Sequence, residues 1–264
     1  MLYSNFLFPG GKIKALTMSY DDGVPEDRRL VEIFNRHGIK GTFHLNSGRQ
    51  AASTLADASE LYRGHEISCH GKNHYSLDRI PQACVLQQIV EDRLALEKLA
   101  GYPVRGLSYP NGAYNSAILP VLASAGIVYS RTTLSTGRFS LPDDWLCWHP
   151  TCHHNDDLAG RGERFKAQKS GLSVFYVWGH SYEFERQNNW ELIETFCRDI
   201  GGQEDIWYAT NIEIYDYVQA ARNLQFSADG TLVFNPGCRS VWLNFQGDIR
   251  EIAGGVLLNM AKDN

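Results

Sequence analysis

The sequence predicts an α/β fold, a parallel sheet or barrel of βα units followed by a small β appendage. Short β-rich runs alternate with helical patterns from Ile13 to about Leu224, as expected for repeated βα units. Beyond Leu224 the β-rich runs are shorter, and Gly or Pro separates them. With 264 residues, 43% of them apolar, the chain can bury a large core. We therefore predict a barrel domain over residues 1–224 and an appendage over residues 225–264.

The first half of the barrel domain is predicted from apolar runs and from signals at helix ends. Pro25 and Gly38 stand where a helix that follows the first strand would begin and end. Leu86, Ile89 and Val90 recur at helical spacing within a long helix over residues 81–101. The strands predicted here are residues 13–19, 41–45, 66–69 and 104–109.

The second half of the barrel domain is less regular. Residues 133–171 are rich in Gly, Asp and His, and we predict that they are mostly loop. The apolar run over residues 172–178 is typical of a strand buried on both faces. Thr210 and Glu213 form a capping-box pattern at the start of the last helix. The other predicted elements are helices at 116–125 and 190–200, strands at 127–131 and 206–209, and appendage strands at 232–234, 240–245 and 249–252.

Composition argues against several classes of partner and location. Twenty-five basic and 30 acidic residues give a net charge of -5, without a basic stripe, so we expect no nucleic-acid partner. No secretory signal is visible over residues 1–11, and no later run has transmembrane length, so we expect no membrane association. The six cysteines include no CxxC pair, which suits reduced thiols and predicts a cytoplasmic location.

Two polar clusters follow predicted strands and contain residue types that bind metals. Asp21 and Asp22 end the first strand, and His70 and His74 follow the third. Loops at the carboxyl ends of parallel strands converge on one rim, so these side chains are expected to meet. One Asp and two His satisfy a zinc-type cation and leave the other Asp free as a base. Taken singly, the carboxylates also suit a helix-capping turn, and the histidines suit one side of a helical turn.

Four motifs resemble those of the polysaccharide deacetylase family, the metal hydrolases with NodB homology. Residues 19–23, Ser-Tyr-Asp-Asp-Gly, and residues 70–74, His-Gly-Lys-Asn-His, are similar to the family's opening Ser/Thr-Phe-Asp-Asp-Gly and His-Ser/Thr-x-x-His. Residues 109–114, Tyr-Pro-Asn-Gly-Ala-Tyr, are similar to its third motif. Residues 177–180, Val-Trp-Gly-His, resemble its terminal motif.

The resemblance implies a distorted (β/α) barrel of the polysaccharide deacetylase type that hydrolyses N-acetylated or O-acetylated carbohydrate with metal-activated water. It implies a divalent cation, with Zn2+ expected ahead of Co2+, Mn2+, Ni2+ or Fe2+. The implied metal ligands are Asp22, His70 and His74, with Asp21 as the base and His180 as the acid. The resemblance also implies that the main-chain N–H of Tyr109 would hold the oxyanion. Further candidate substrate contacts on the predicted rim are Asn111, Tyr114, Trp178 and Glu183.

The chain departs from the family pattern at several positions. Gly71 stands where Ser or Thr normally braces the ligand loop, so a weaker brace is expected. The family Arg that pairs with the catalytic Asp is absent from the third motif, and Arg105 lies too early to replace it. Asp144 and Trp145 could match the family's fourth motif. A Cys- and His-rich group beside them does not have paired-ligand spacing, and we favour a substrate-loop or structural role for it: Cys147, His149, Cys152, His153 and His154.

Two other functions stay open. A metal-dependent amidohydrolase acting on a small non-sugar C–N substrate is favoured by Glu183, three residues after His180, and by the lack of an export signal. A non-catalytic carbohydrate-binding relative is the other alternative. The expected partner is therefore an acetylated carbohydrate or a small amide.

Overall fold

The computed structural model describes residues 6–49 and 57–260, and its centre is an eight-stranded parallel sheet. The strands, in chain order, are β1 (Phe6–Leu7), β2 (Lys14–Asp21), β3 (Gly41–Leu45), β4 (Glu66–Cys69), β5 (Gly106–Ser108), β6 (Tyr129–Arg131), β7 (Cys152–His153), β8 (Ser173–Gly179), β9 (Ile206–Tyr208), β10 (Gln225–Phe226), β11 (Leu232–Phe234), β12 (Val241–Phe245), β13 (Asp248–Ile252) and β14 (Leu257–Asn259). Seven strands of the parallel sheet follow the order β6-β5-β4-β3-β2-β8-β7, and β9 pairs with β2.

Helices pack against the outside of the curled sheet. The main apolar core lies between these helices and the alternate side chains of the strands, such as Leu16, Met18 and Tyr20 of β2. In chain order the helices are α1 (Asp27–Arg36), α2 (Ala58–Leu61), α3 (Gln82–Ala100), α4 (Leu119–Ser124), α5 (Leu158–Lys166), α6 (Ser181–Arg186), α7 (Trp190–Ile200) and α8 (Asn211–Arg222). The predicted capping box at the start of α8 is present.

The opposite faces of the strands contribute buried polar side chains beside a second apolar cluster, which includes Ala15 and Tyr176. Thr17 of β2 donates to Asn211 at 2.7 Å, and Ser19 hydrogen-bonds to His44 of β3 at 2.9 Å, all four side chains being buried. Every residue of β2 is buried, and from position 16 onward Leu16, Met18 and Tyr20 mark one face of the strand while Thr17, Ser19 and Asp21 mark the other. The polar face ends at Asp21, on the carboxyl rim.

The segment between β6 and β8 completes the curl of the sheet. The Trp148 main chain donates to Ser130 of β6 at 2.9 Å and accepts from Thr132 at 3.1 Å. A few residues later the His154 N–H donates to the carbonyl of Trp178 in β8 at 2.8 Å. Because one segment bonds to both strands, it bridges the two ends of the curl.

The predicted fold class is confirmed, and the observed element bounds refine it. The strands over 41–45 and 66–69 and the helix over 190–200 match residue for residue. The loop predicted over 133–171 is wrong in part, because this stretch contains β7, α5 and a 3-10 turn at Trp145–Cys147. Helix α5 escaped prediction because Gly160 and Gly162 lie within it. Asp157 caps it by accepting from the Gly160 N–H at 3.1 Å.

The chain beyond α8 forms two small antiparallel sheets. One contains β10, β11 and β14, and the other contains β12, β13 and the N-terminal strand β1. Phe6 of β1 is in register with Leu243 of β12, so the described N-terminal residues lie on the C-terminal sheet. The domain division at residue 224 stays a prediction. Within the described ranges, no helix has the length and hydropathy needed to span a bilayer.

Candidate active site

The polar rim of the sheet gathers groups from three strand ends. Asp21 is the last residue of β2, His70 follows β4, and His180 follows β8. Asp22 has φ 76° and Gly23 has φ 61°, so the backbone turns sharply after β2. The side chain of Asp22 thereby reaches the loop that contains His70.

Asp22, His70 and His74 lie together in the geometry of a ligand set. Oδ1 of Asp22 lies 3.7 Å from Nε2 of His70 and 3.5 Å from Nε2 of His74. The three potential ligand atoms all lie within 4.8 Å of one another. One carboxylate and two imidazoles suit a zinc-type cation.

The tautomer of His70 fits this donor set. Its Nδ1 lies 2.9 Å from the carbonyl oxygen of Ser108 and 2.6 Å from the hydroxyl of the same residue. A carbonyl can only accept, so Nδ1 has the proton and Nε2 presents a lone pair toward Asp22 and His74. Burial lowers the pKa of His70, although the charges of Asp21 and Asp22 oppose this, and the neutral ring is the form that binds metals.

The ligand loop, residues 70–74, is held by hydrogen bonds from side chains that lie outside the four motifs. Asp92 of α3 accepts from the main-chain N–H of His70 at 3.2 Å and from that of Ser47 at 2.9 Å. Asn46 donates to the carbonyls of His70 and Gly71 at 2.6 and 2.7 Å. These bonds fix an N–H and two carbonyls of the ligand loop. They therefore replace the stabilisation that a Ser or Thr at position 71 was expected to supply.

Gly71 is required by the backbone of the ligand loop. Its φ is +70°, and a Cβ at this position would lie 3.4 Å from Pro110 of the third motif. Ser or Thr would be strained in this conformation. The departure from the family pattern therefore follows from the loop geometry.

Asp21 receives its counter-charge from Arg131, a residue that sequence reasoning did not identify. The Arg131 guanidinium donates to one carboxylate oxygen of Asp21, and the Ser108 hydroxyl donates to the other at 2.9 Å. Burial alone would raise the pKa of Asp21. The charge of Arg131 outweighs it and holds that pKa far below its usual range. The ion pair with Arg131 therefore favours the ionised form of Asp21.

The position of Arg131 explains why the family Arg is absent from the third motif. Ser108 of β5 and Arg131 of β6 are register partners in the sheet. The guanidinium is fully buried and lies over the ring of Trp178, 4.5 Å from its centroid. One signal was available in the sequence, because a charged residue ends an otherwise uncharged run over 127–131.

His180 lies opposite the ligand set. Its Nε2 is 4.0 Å from Oδ2 of Asp22, and its Nδ1 is 2.9 Å from Oε1 of Glu183. Burial would lower the pKa of His180, but the hydrogen bond with Glu183 and the charge of Asp21 outweigh it and raise the pKa. Glu183 therefore contacts His180, where the sequence predicted a substrate contact.

The remaining predicted substrate contacts are dispersed. Tyr109 is 1% exposed, its N–H donates to the Arg131 carbonyl at 3.0 Å, and its hydroxyl donates to the Leu146 carbonyl. An N–H used in the sheet does not fit the predicted oxyanion role, so Tyr109 packs the core. Tyr114 stacks on Tyr109 with centroids 4.8 Å apart. The exposed Asn111 side chain donates to Ser76 on the rim.

The Cys- and His-rich group does not assemble as one set. Cys152 is buried in the core, whereas His149 bonds to Thr132 through Nδ1 at 2.6 Å. His153 and His154 lie instead against Glu183, with Nε2 to Oε2 distances of 3.2 and 2.9 Å. Asp144, which could match the family's fourth motif, caps the 3-10 turn by accepting from the Leu146 N–H at 2.8 Å.

Fold and rim together define an α/β protein of the polysaccharide-deacetylase type, and comparisons with known proteins agree. The sequence model described as polysaccharide deacetylase matches residues 10–130. A curated relative, the uncharacterized protein YlxY of Bacillus subtilis (strain 168), is 23% identical over 96 residues. That match covers 36% of this chain and 30% of the relative, so the chain spans less than a third of that protein's length.

Solved structures of the family share the fold. A candidate polysaccharide deacetylase from Mycobacterium smegmatis superposes with a TM-score of 0.64 at 18% identity, covering 83% of this chain and 94% of that one. The Xyl-CE4 domain of a multidomain xylanase from the hindgut metagenome of Trinervitermes trinervoides gives 0.55 at 16% identity, covering 82% and 99%. The CE4 family pseudoenzyme BA3943 from Bacillus anthracis gives 0.52 at 14%, covering 76% and 64%. The region matched by the family model includes Asp21, Asp22, His70 and His74, and the fold is that of solved polysaccharide deacetylases.

Proposed function

We propose that the protein is a metal-dependent hydrolase that removes acetyl groups from N-acetylated or O-acetylated carbohydrate. The observation behind this proposal is the convergence, on one rim, of a ligand set, an ionised carboxylate and an imidazole. Asp22, His70 and His74 would hold a divalent cation. When bound, such a cation supplies Lewis-acid polarisation of the acetyl carbonyl.

Asp21 would be the base that accepts the proton of the attacking water. It lies beside the ligand set, with Oδ2 3.7 Å from Nε2 of His70. Arg131 and Ser108 hold both carboxylate oxygens, which fixes the orientation of the group and keeps it charged. Both partners are the last residues of their strands, so they hold Asp21 at the carboxyl rim.

His180 would be the acid that gives a proton to the departing nitrogen or oxygen. Glu183 accepts from Nδ1, so the proton to be donated is on Nε2, the atom nearest Asp22. The raised pKa favours the protonated ring near neutral pH. Base and acid thus flank the ligand set from different strand ends.

The amidohydrolase alternative loses its main support from the contacts of Glu183. The sequence favoured a small non-sugar substrate because Glu183 follows His180 closely, yet the carboxylate contacts three imidazoles. Its position is explained without a substrate. Acetylated carbohydrate is therefore the substrate class that we propose.

Acetate release tests this proposal. Metal-loaded protein is incubated with N-acetylglucosamine oligomers, acetylated xylan and small cyclic amides, and acetate and ring-opened products are measured. We expect acetate from at least one carbohydrate. We expect Asp21→Asn to lower kcat by at least about 100-fold, since base catalysis contributes that order.

Asp78→Asn is the matched control, because Asp78 is exposed on the turn after the ligand loop. It should retain wild-type turnover. Turnover of the cyclic amides alone would favour the amidohydrolase. A wild-type rate in Asp21→Asn would remove the base assignment, and binding without turnover would favour a non-catalytic relative.

A further inference from the structure

We propose a second divalent-cation site, formed by Nε2 of His153, Nε2 of His154 and Oε2 of Glu183. Its ligands come from β7, from the residue after β7, and from α6. They are separate from Asp22, His70 and His74, and the site does not depend on the proposed deacetylase activity. The expected ligand is a borderline divalent ion such as Zn2+ or Co2+.

The distances within this cluster suit metal coordination. The Glu183 oxygen lies 3.2 Å from Nε2 of His153 and 2.9 Å from Nε2 of His154, and the three atoms lie within 4.8 Å of one another. Ligand atoms about 2.0–2.1 Å from a tetrahedral ion are themselves roughly 3.3 Å apart. Small adjustments would therefore allow all three atoms to contact one ion.

His154 provides an independent indication of a ligand. Its side chain is 0% exposed, and neither ring nitrogen makes an aligned hydrogen bond, although Glu183 lies close to Nε2. A buried imidazole without an aligned partner is costly, and an ion on Nε2 would offset that cost. The lone pair of Nε2 is therefore available to bind a cation that the Glu183 carboxylate also contacts.

The surroundings of His154 hold its ring in place. The ring stacks between Tyr20 and Phe184, with centroid distances of 5.7 and 4.2 Å. Its Nδ1 edge lies against Gly179, where a Cβ would be only 2.0 Å from that nitrogen. Any side chain at position 179 would displace the ring. A ring packed this tightly is positioned before any ion arrives.

The cluster also leaves room for water. The side chains of His153 and Glu183 are 19% and 20% exposed, so solvent could complete a four-coordinate shell. Asn155 donates to the same Glu183 oxygen at 3.3 Å, and the other oxygen bonds to His180. The carboxylate is thus oriented by neighbours while one oxygen faces both imidazoles.

Metal stoichiometry tests the second site directly. Chelator-treated protein is titrated with Co2+ and with Zn2+, and bound ion is measured by calorimetry and elemental analysis. We expect two ions per chain in the wild type. The variant Asp22→Asn/His74→Ala should keep one, and its Co2+ absorption bands should report the remaining site.

The paired variant His153→Ala/Glu183→Gln should lose the second equivalent, with affinity lowered roughly tenfold or more. His153 is partly exposed, so this variant is expected to fold, and thermal melting checks it. Glu185→Gln, an exposed residue of the same helix, is the matched control and should bind two ions.

Two results would overturn the proposal. One is a wild type that binds a single ion which Asp22→Asn/His74→Ala abolishes. The other is a second equivalent that persists in His153→Ala/Glu183→Gln. Either result would show that His153, His154 and Glu183 bind no cation and that the three imidazoles only pair with the Glu183 carboxylate. Neither result bears on acetate release, so failure of this site is distinguishable from failure of the proposed function.

Discussion

Asp21 keeps a negative charge in a buried position because two neighbouring strands supply its partners. The Ser108 hydroxyl and the Arg131 guanidinium each bind one of its oxygens, and Trp178 covers the guanidinium. Removing one partner of a buried ion pair leaves the other charge without compensation. The fold and the proposed chemistry therefore share the same pair of residues.

Replacement of Arg131 tests whether its charge stabilises the buried Asp21 carboxylate. We expect Arg131→Met to lower the free energy of unfolding by about 3–5 kcal/mol, because the Asp21 charge stays buried. Urea unfolding measures the change. Arg138→Met, at an exposed position, should stay within about 0.5 kcal/mol of the wild type. Equal stability of the two variants would contradict the assigned role of Arg131.

The loop between β4 and α3 depends on backbone conformations with positive φ angles. Gly71 has a positive φ and His74 has φ 57°, and α3 holds the loop through Asp92. Burial raises the pKa of Asp92 to about 6, while the N–H groups of Ser47 and His70 favour its charged form. Helix and loop therefore act as one unit that sets the spacing of the two histidines.

Restoring the family residue at position 71 should weaken metal binding. Gly71→Ser forces a side chain into φ +70°, at a cost of about 1 kcal/mol, and shifts His70. We expect the metal affinity of the proposed site at Asp22, His70 and His74 to fall about tenfold, as measured by calorimetry. Gly64→Ser is the control, because Gly64 has φ +86° with open space around it. It should cost similar stability without changing that affinity, and tighter binding by Gly71→Ser would contradict the loop argument.

For the whole molecule, buried carboxyl groups link stability to pH. Glu66 is fully buried and accepts from the hydroxyls of Thr42 and Tyr129 and from the N–H of Ile212. Burial outweighs these bonds and raises its pKa from 4.5 to about 7. Burial likewise raises the pKa of Asp27 to about 7. Both groups favour the folded state most when they are protonated.

The contribution of Glu66 to stability should therefore fall as pH rises through the interval between its unfolded and folded pKa values. For Glu66 the folded pKa exceeds the unfolded one, so its contribution is present below about pH 4.5 and lost by about pH 7. Between pH 5 and pH 8 we expect a loss of roughly 2–3 kcal/mol from this group. Urea unfolding of Glu66→Gln should show a flatter profile, whereas the exposed Glu32→Gln should not. Identical slopes for all three proteins would exclude Glu66 as the source.

Most of the barrel was predictable because its strands and helices have local signals. Residues 41–45, 66–69 and 190–200 match the observed elements, since apolar runs and periodicity determine them. The stretch between β6 and β8 was not predictable, because its two-residue strand exists only through pairing with β8. The motifs placed Asp22, His70 and His74 together, but the partner of Asp21 depends on sheet register, which a motif does not encode.

The side-by-side placement of Ser108 and Arg131 has a consequence for how relatives of this protein are recognised. Arg131 reaches the Asp21 carboxylate from the strand next to the third motif, at the same level of the sheet as Ser108. An alignment column that demands arginine beside the third motif would classify such a chain as inactive. A comparison of structures would find the arginine on the neighbouring strand. It would distinguish chains in which this arginine has moved from chains that have lost it.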